Sequence, residues 1–262
     1  ASLNRSGRLD GADPRLLALV ADARRWAEWT DGAFDPTVQP LWRFHAGLKP
    51  GDFPVAASRL DAQVALVDHR AIRVDGDTIR LERQGAALTL NGLAQGFAAD
   101  RALAVARALG ADRVLVDAGE FVAGLGPRSS GGWRVGVHDP DVATPGGQAS
   151  VDDRPVPSLA GVIDLADRAV ASSAGGSWRF DAAGSVNHLF DPRSGRSPTT
   201  LLGVTVVAPT ATMADALSTA FMVMAPARAL ALAARLPGVE ARLVTADGSQ
   251  RVTPGWCWAP TA

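Results

Sequence analysis

The stretch Pro209-Thr210-Ala211-Thr212-Met213-Ala214-Asp215-Ala216-Leu217-Ser218-Thr219 sets a carboxylate and a hydroxyl four residues apart. In an α-helix that spacing puts Asp215 and Thr219 on one face. Side by side they offer two oxygen ligands to a hard cation such as Mg²⁺. Such pairs also occur on solvated helix faces, so their meaning depends on what accompanies them. Three further segments carry possible chemistry. Glycines in Asn91-Gly92-Leu93-Ala94-Gln95-Gly96 let a backbone approach a ligand closely, and the helix that follows offers free N–H groups to a phosphate. His188 precedes Leu189-Phe190 and a turn; an imidazole, with a pKa near about 6.5, is a base close to neutrality. Phe34-Asp35-Pro36-Thr37 combines an aromatic ring, a carboxylate and a hydroxyl, which suits a pocket for a planar polar ligand. Asp35 can equally cap the turn that follows it.

Each segment needs an element to hold it. The β-branched run Val204-Thr205-Val206-Val207 predicts a strand, and Pro209 with a Thr210 or Thr212 cap predicts a helix start. Asp13-Pro14 begins another helix, with Leu16, Leu17, Val20, Ala23 and Ala27 at helical spacing to about Trp29. Residues 32–42 hold two prolines and show no periodicity. A short helix is expected near Leu60 to Val67. Ile72–Val74 and Thr78–Leu81 flank Asp75-Gly76-Asp77 as a hairpin. Ala87–Leu90 reads as a short strand running into the glycine loop, and a helix follows from Phe97 to about Leu109, ended by Gly110. Strands are expected at Val114–Val116, Trp133–His138, Gly161–Ala171 (bent), Asn187–Phe190, Ala241–Val244 and Cys257–Trp258. Residues 139–155 read as a surface loop, Asp191–Gly195 as a turn, and Ala227–Leu236 as a helix. The sum is α+β: one domain of mostly antiparallel strands with about five helices.

Composition narrows the function. The 262 residues suffice for a substantial core, and the apolar (47%) and charged (20%) shares are those of a globular chain. A net charge of −1 leaves no basic footprint for nucleic acid. Cys257, the one cysteine, excludes an internal disulfide and a Cys-based zinc site. His45, His69, His138 and His188 form no metal-ligand spacing. There is no phosphate-binding P-loop, dinucleotide glycine fingerprint or nucleophile elbow. No apolar run approaches the roughly 18 residues of a membrane span, so no transmembrane segment is expected. No signal-peptide pattern stands at the start, which is polar and lacks Met, as expected of a processed or trimmed N-terminus.

Taken in order, Thr30–Val38, Leu90–Asp100, Val170–Ser173, His188–Gly195 and Ala208–Ala220 resemble the motifs of the ApbE family, the FAD:protein FMN transferases. The resemblance implies a single ApbE-like (T-fold-like) domain over 1–262 that lacks the family's first strand and helix. It implies Mg²⁺-dependent transfer of FMN from FAD to a Thr or Ser of an acceptor flavoprotein, with release of AMP. Alternatives are FAD hydrolysis to FMN and AMP, or a non-catalytic flavin-binding homologue. By motif, Asp215, Thr219 and the carbonyl of Gly92 look like metal ligands. Ala33, Phe34, Asp35, Thr89, Gln95 and Leu189 fall where contacts to FAD are expected. His188 and Asp215 look catalytic, His188 as proton acceptor or phosphate-positioning group. Departures are Thr89 for the usual Asp, Gln95 for Lys or Glu, Phe97 for Tyr, Gly119-Glu120 for Gly-Gly, Ala174 for Gly, and Ser218 where some members carry a second Asp. Both an exported and a cytoplasmic setting fit the family.

Overall fold

The computed structural model describes residues 2–127, 131–140, 150–151, 154–155, 158–176, 178–181 and 184–260. The chain forms two compact units, Ala1–Leu93 with Ser177–Pro198, and Ala94–Gly176 with Thr199–Ala262. Mixed helix and antiparallel sheet make it α+β, as the patterning predicts.

The first unit holds α1 (Leu3–Ser6), β1 (Arg8–Leu9), α2 (Pro14–Trp29), α3 (Gln39–Ala46), α4 (Ala57–Val64), β2 (Ile72–Asp75) and β3 (Thr78–Leu81). The strands form a small antiparallel sheet in the order β1-β3-β2. α2 begins as read: the Asp13 carboxylate accepts the Arg15 amide at 2.8 Å, and Pro14 opens the first turn. Its buried face, Leu19, Val20, Ala23, Trp26 and Ala27, follows the helical period. α3 takes in the last four residues of the 32–42 segment read as irregular, while 32–38 form no helix or strand. Pro40 sits in its first turn, where a missing N–H costs nothing, so the proline that hid the helix is compatible with it. Two expected strands are absent. Ala87–Leu90 contributes only a bridge from Ala87 to Val38, and Asn187–Phe190 only one from Asn187 to Arg179. In both, side chains and turns take up backbone groups that a ladder would use. The Asp191 turn is present and is closed by Gly195 at φ 67°. A Cβ on Gly195 would come within 2.8 Å of Leu41 and 2.9 Å of Leu60, so the turn seats directly on the core.

The second unit holds α5 (Ala94–Ala108), β4 (Leu115–Asp117), β5 (Phe121–Ala123), β6 (Trp133–His138), β7 (Ser150–Val151), β8 (Arg154–Pro155), β9 (Leu159–Leu165) and β10 (Ala169–Ala174). Then come β11 (Leu201–Ala208), α6 (Ala211–Val223), α7 (Pro226–Ala233), β12 (Glu240–Thr245) and β13 (Gln250–Val252). A six-stranded antiparallel sheet runs β13-β12-β11-β10-β5-β4, and β6 pairs separately with β9. The bent strand read at 161–171 is two strands, broken where Asp167 adopts a left-handed φ of 50°. Cys257–Trp258 is not a strand; β13 lies earlier. Of the loop read at 139–155, residues 141–149 and 152–153 lie outside the described residues, while β7 and β8 pair with each other. α6 packs on β10 and β11 with ten of its 13 residues buried. A helix so covered is apolar nearly all round, and full burial of Leu217 and Phe221 contributes about 1.5–3 kcal/mol each. Three polar residues on it, Thr212, Asp215 and Ser218, are therefore buried too. No helix among the described residues is long and apolar enough to cross a membrane.

Candidate functional site

α6 starts where the sequence places it. Thr210 is the N-cap, and its hydroxyl accepts the Met213 amide at 3.2 Å. Thr212, the other candidate cap, instead donates its hydroxyl to Asp100 Oδ2 at 2.6 Å. One turn on, Asp215 is 5% exposed. Its Oδ2 accepts the Gly96 amide at 3.1 Å, and its Oδ1 accepts no hydrogen bond from the described residues. Burial pushes the Asp215 carboxyl up to about 6, against the Gly96 bond, which favours the ionised form. Thr219 follows four residues later, half-buried. Ser218 is fully buried and donates to the Asp215 carbonyl at 3.0 Å, and its hydroxyl meets that of Ser173 at 2.7 Å. Where some family members carry a second carboxylate, this chain ties α6 to β10.

A second buried carboxyl stands close by. Glu120, at the start of the turn into β5, is 8% exposed. Burial, then the charge of Asp215, pushes it up to about 8. The asymmetry is physical: Asp215 ionises first, and Glu120 must then ionise beside it. No ion pair joins either carboxyl to an Arg or Lys among the described residues. Asp215, buried without a paired cation among the described residues and one turn before the Thr219 hydroxyl, offers hard oxygen donors of the kind a divalent cation takes. No cluster of three His, Cys, Asp or Glu side chains occurs among the described residues. Gln95 lies across Gly119. A Cβ there would fall 2.4 Å from Gln95 Nε2, the movable end of a flexible side chain, and it is the φ of 95° that requires glycine at the turn.

The remaining candidates belong to the first unit. Ala33 and Phe34 are buried, with the Phe34 amide on the Thr30 hydroxyl at 3.0 Å. Asp35 is occupied internally. Its Oδ1 accepts the Thr37 amide at 2.8 Å and the Thr37 hydroxyl at 2.5 Å; its Oδ2 accepts the His69 amide at 3.0 Å and lies 3.0 Å from His69 Nδ1. The capping role read for Asp35 is the one its side chain performs. The Thr89 amide donates to the Pro36 carbonyl at 2.7 Å, joining two of the sequence motifs. Gly92 is half-buried in the turn closed by the Leu93 amide on Leu90. The Leu189 amide is held by the Asn187 side chain at 2.9 Å. The His188 amide donates to the Trp178 carbonyl at 3.1 Å, while its buried Nδ1 has no hydrogen-bond partner. Burial lowers the His188 pKa from its ordinary value, so the ring is neutral at pH 7. Sequence reading passed over Asp100 and treated Glu120 only as a departure. The i,i+4 step from Gly96 to Asp100 on α5 was the available signal for the former.

Solved structures share this fold. The ApbE protein of Thermotoga maritima aligns with a TM-score of 0.82 at 25% identity, over 97% of this chain and 80% of that one. The flavin transferase ApbE from Vibrio cholerae aligns with a TM-score of 0.74 at 25% identity, over 92% and 75%. A sequence model of the ApbE family matches residues 1–243, and the chain belongs to that family. Among curated relatives, the FAD:protein FMN transferase of Rhodobacter capsulatus is 30% identical over 260 residues, 95% of this chain. The chain spans 46% of that relative's length. The FAD:protein FMN transferase of Treponema pallidum is 31% identical, over 93% of this chain and 69% of its own length.

Proposed function

We propose that this chain is a Mg²⁺-dependent FAD:protein FMN transferase, with residues 1–262 acting as one functional domain. The observation that carries the reading is Asp215: a buried carboxylate on α6, held on one oxygen and bare on the other, one turn before Thr219. The relatives named for this activity give the same direction. Asp215, Thr219 and the Gly92 carbonyl would hold the cation. When bound, it neutralises charge on the pyrophosphate of FAD.

The chain's own groups supply the rest. A Thr or Ser hydroxyl of an acceptor flavoprotein attacks the FMN-side phosphorus. The new P–O bond joins FMN to the acceptor, the bond to the bridging oxygen breaks, and AMP leaves with that oxygen. The hydroxyl proton passes to His188, which its burial keeps neutral and able to accept it. Ala33, Phe34, Thr89, Gln95 and Leu189 contact the flavin nucleotide. Asp35, occupied internally, shapes the 33–37 segment that presents its neighbours. The reading holds in an exported or a cytoplasmic setting.

Incubation of the chain with FAD, Mg²⁺ and a flavoprotein acceptor domain tests it by intact mass. The acceptor is expected to gain one FMN, with one AMP released. Release of FMN and AMP at the same rate with and without acceptor would instead make the chain a hydrolase.

A further inference from the structure

Two helices of the second unit meet at unusually close range. Gly96 of α5 lies against the first residue of α6: a Cβ on it would fall 2.2 Å from the Ala211 carbonyl oxygen and 2.7 Å from the Thr212 nitrogen. One turn further along α5, Asp100 accepts the Ala211 amide on Oδ1 at 2.8 Å. Its Oδ2 accepts the Thr212 amide at 2.8 Å and the Thr212 hydroxyl at 2.6 Å. One turn further along α6, Asp215 accepts the Gly96 amide. The two contacts are thus spaced by four residues on both helices, Gly96 to Asp100 and Ala211 to Asp215.

We infer that Asp100 is a positioning residue that sets the register of α6 against α5 and thereby the place of Asp215. Three donors converge on it, and only a carboxylate offers acceptors alone on both oxygens. An amide would turn an NH₂ toward one of the N–H groups. A corollary concerns anions. With Ala211 and Thr212 amides on Asp100 and the Met213 amide on Thr210, the first turn of α6 has its donors and its dipole already satisfied. A phosphate has no place there, and the pyrophosphate must find its donors elsewhere.

The functional part of this inference rests on the proposal that Asp215 holds a cation; the register itself does not. The test is amide hydrogen exchange on the full-length chain, with Mn²⁺ affinity measured by electron paramagnetic resonance. In Asp100→Ala, the Gly96 amide should lose at least tenfold in protection relative to Leu103 further along α5. Mn²⁺ affinity should fall at least tenfold, while Thr212→Ser, which keeps the hydroxyl, should cause neither loss. If Asp100→Ala does not fold, Asp100→Asn is read the same way. Gly96 protection within twofold of the parent, or a loss shared equally by Leu103, overturns the inference. Asp215→Asn separates the two claims: unchanged Mn²⁺ binding there defeats the cation site and leaves the exchange result to decide Asp100.

Discussion

The Gly96 amide donates to Asp215 Oδ2 across 3.1 Å, joining positions 119 residues apart in the chain. The bond fixes one oxygen of the only acid on α6, and the proposed cation site depends on the orientation it imposes. Replacing Gly96 by Ala tests its structural basis. The added methyl would meet backbone on a neighbouring helix, not a flexible side chain, so the helices must separate. A loss of about 1–3 kcal/mol in urea unfolding is expected, as for other overpacked contacts. A change under about 0.5 kcal/mol would show that α5 and α6 are not in this contact.

Glu120 predicts the pH dependence of the cation-free chain. The folded state keeps its proton up to about 8, whereas the unfolded chain releases it near 4.5. Asp215 behaves likewise between 3.8 and about 6. In each window the folded state binds more protons, so stability falls as pH rises. Glu120→Gln keeps the shape and removes the upper titration. Its thermal midpoint, relative to the parent in chelator, should rise from pH 5 to pH 8. A difference that stays flat across that range contradicts a buried Glu120 carboxyl beside Asp215.

Asp35 separates a structural from a ligand-contacting role. Asp35→Ala leaves the Thr37 and His69 amides without their acceptor in a buried segment. Stability without flavin should fall by about 1–3 kcal/mol, measured by denaturant unfolding. An apo chain of parental stability that nonetheless loses FAD binding would assign Asp35 to the ligand instead.

The local half of this structure is written in the sequence. Pro14 after Asp13, Thr210 before an alanine-rich run, and Asp75-Gly76-Asp77 between β-branched pairs each specify an element through a few residues. The errors fall where tertiary contacts decide. Ala87–Leu90 and Asn187–Phe190 have strand composition, but their backbones bond to turns and side chains. Asp167 breaks a run that looks continuous because a single Asp, though among the residues that tolerate a left-handed φ, does not by itself specify one. The site divides in the same way. Asp215 and Thr219 are legible from helical spacing. Asp100 caps a helix 111 residues away; its i,i+4 step from Gly96 puts it on one face of α5 but does not name that partner.

The central claim is that Asp215 places a cation for transfer of FMN from FAD to a protein. Intact-mass analysis of an acceptor domain, incubated with FAD, Mg²⁺ and either the parent chain or Asp215→Asn, tests it most directly. The account predicts an FMN adduct with the parent and at least a hundredfold slower labelling with the variant, at unchanged fold by circular dichroism. Equal labelling by the folded variant would contradict it.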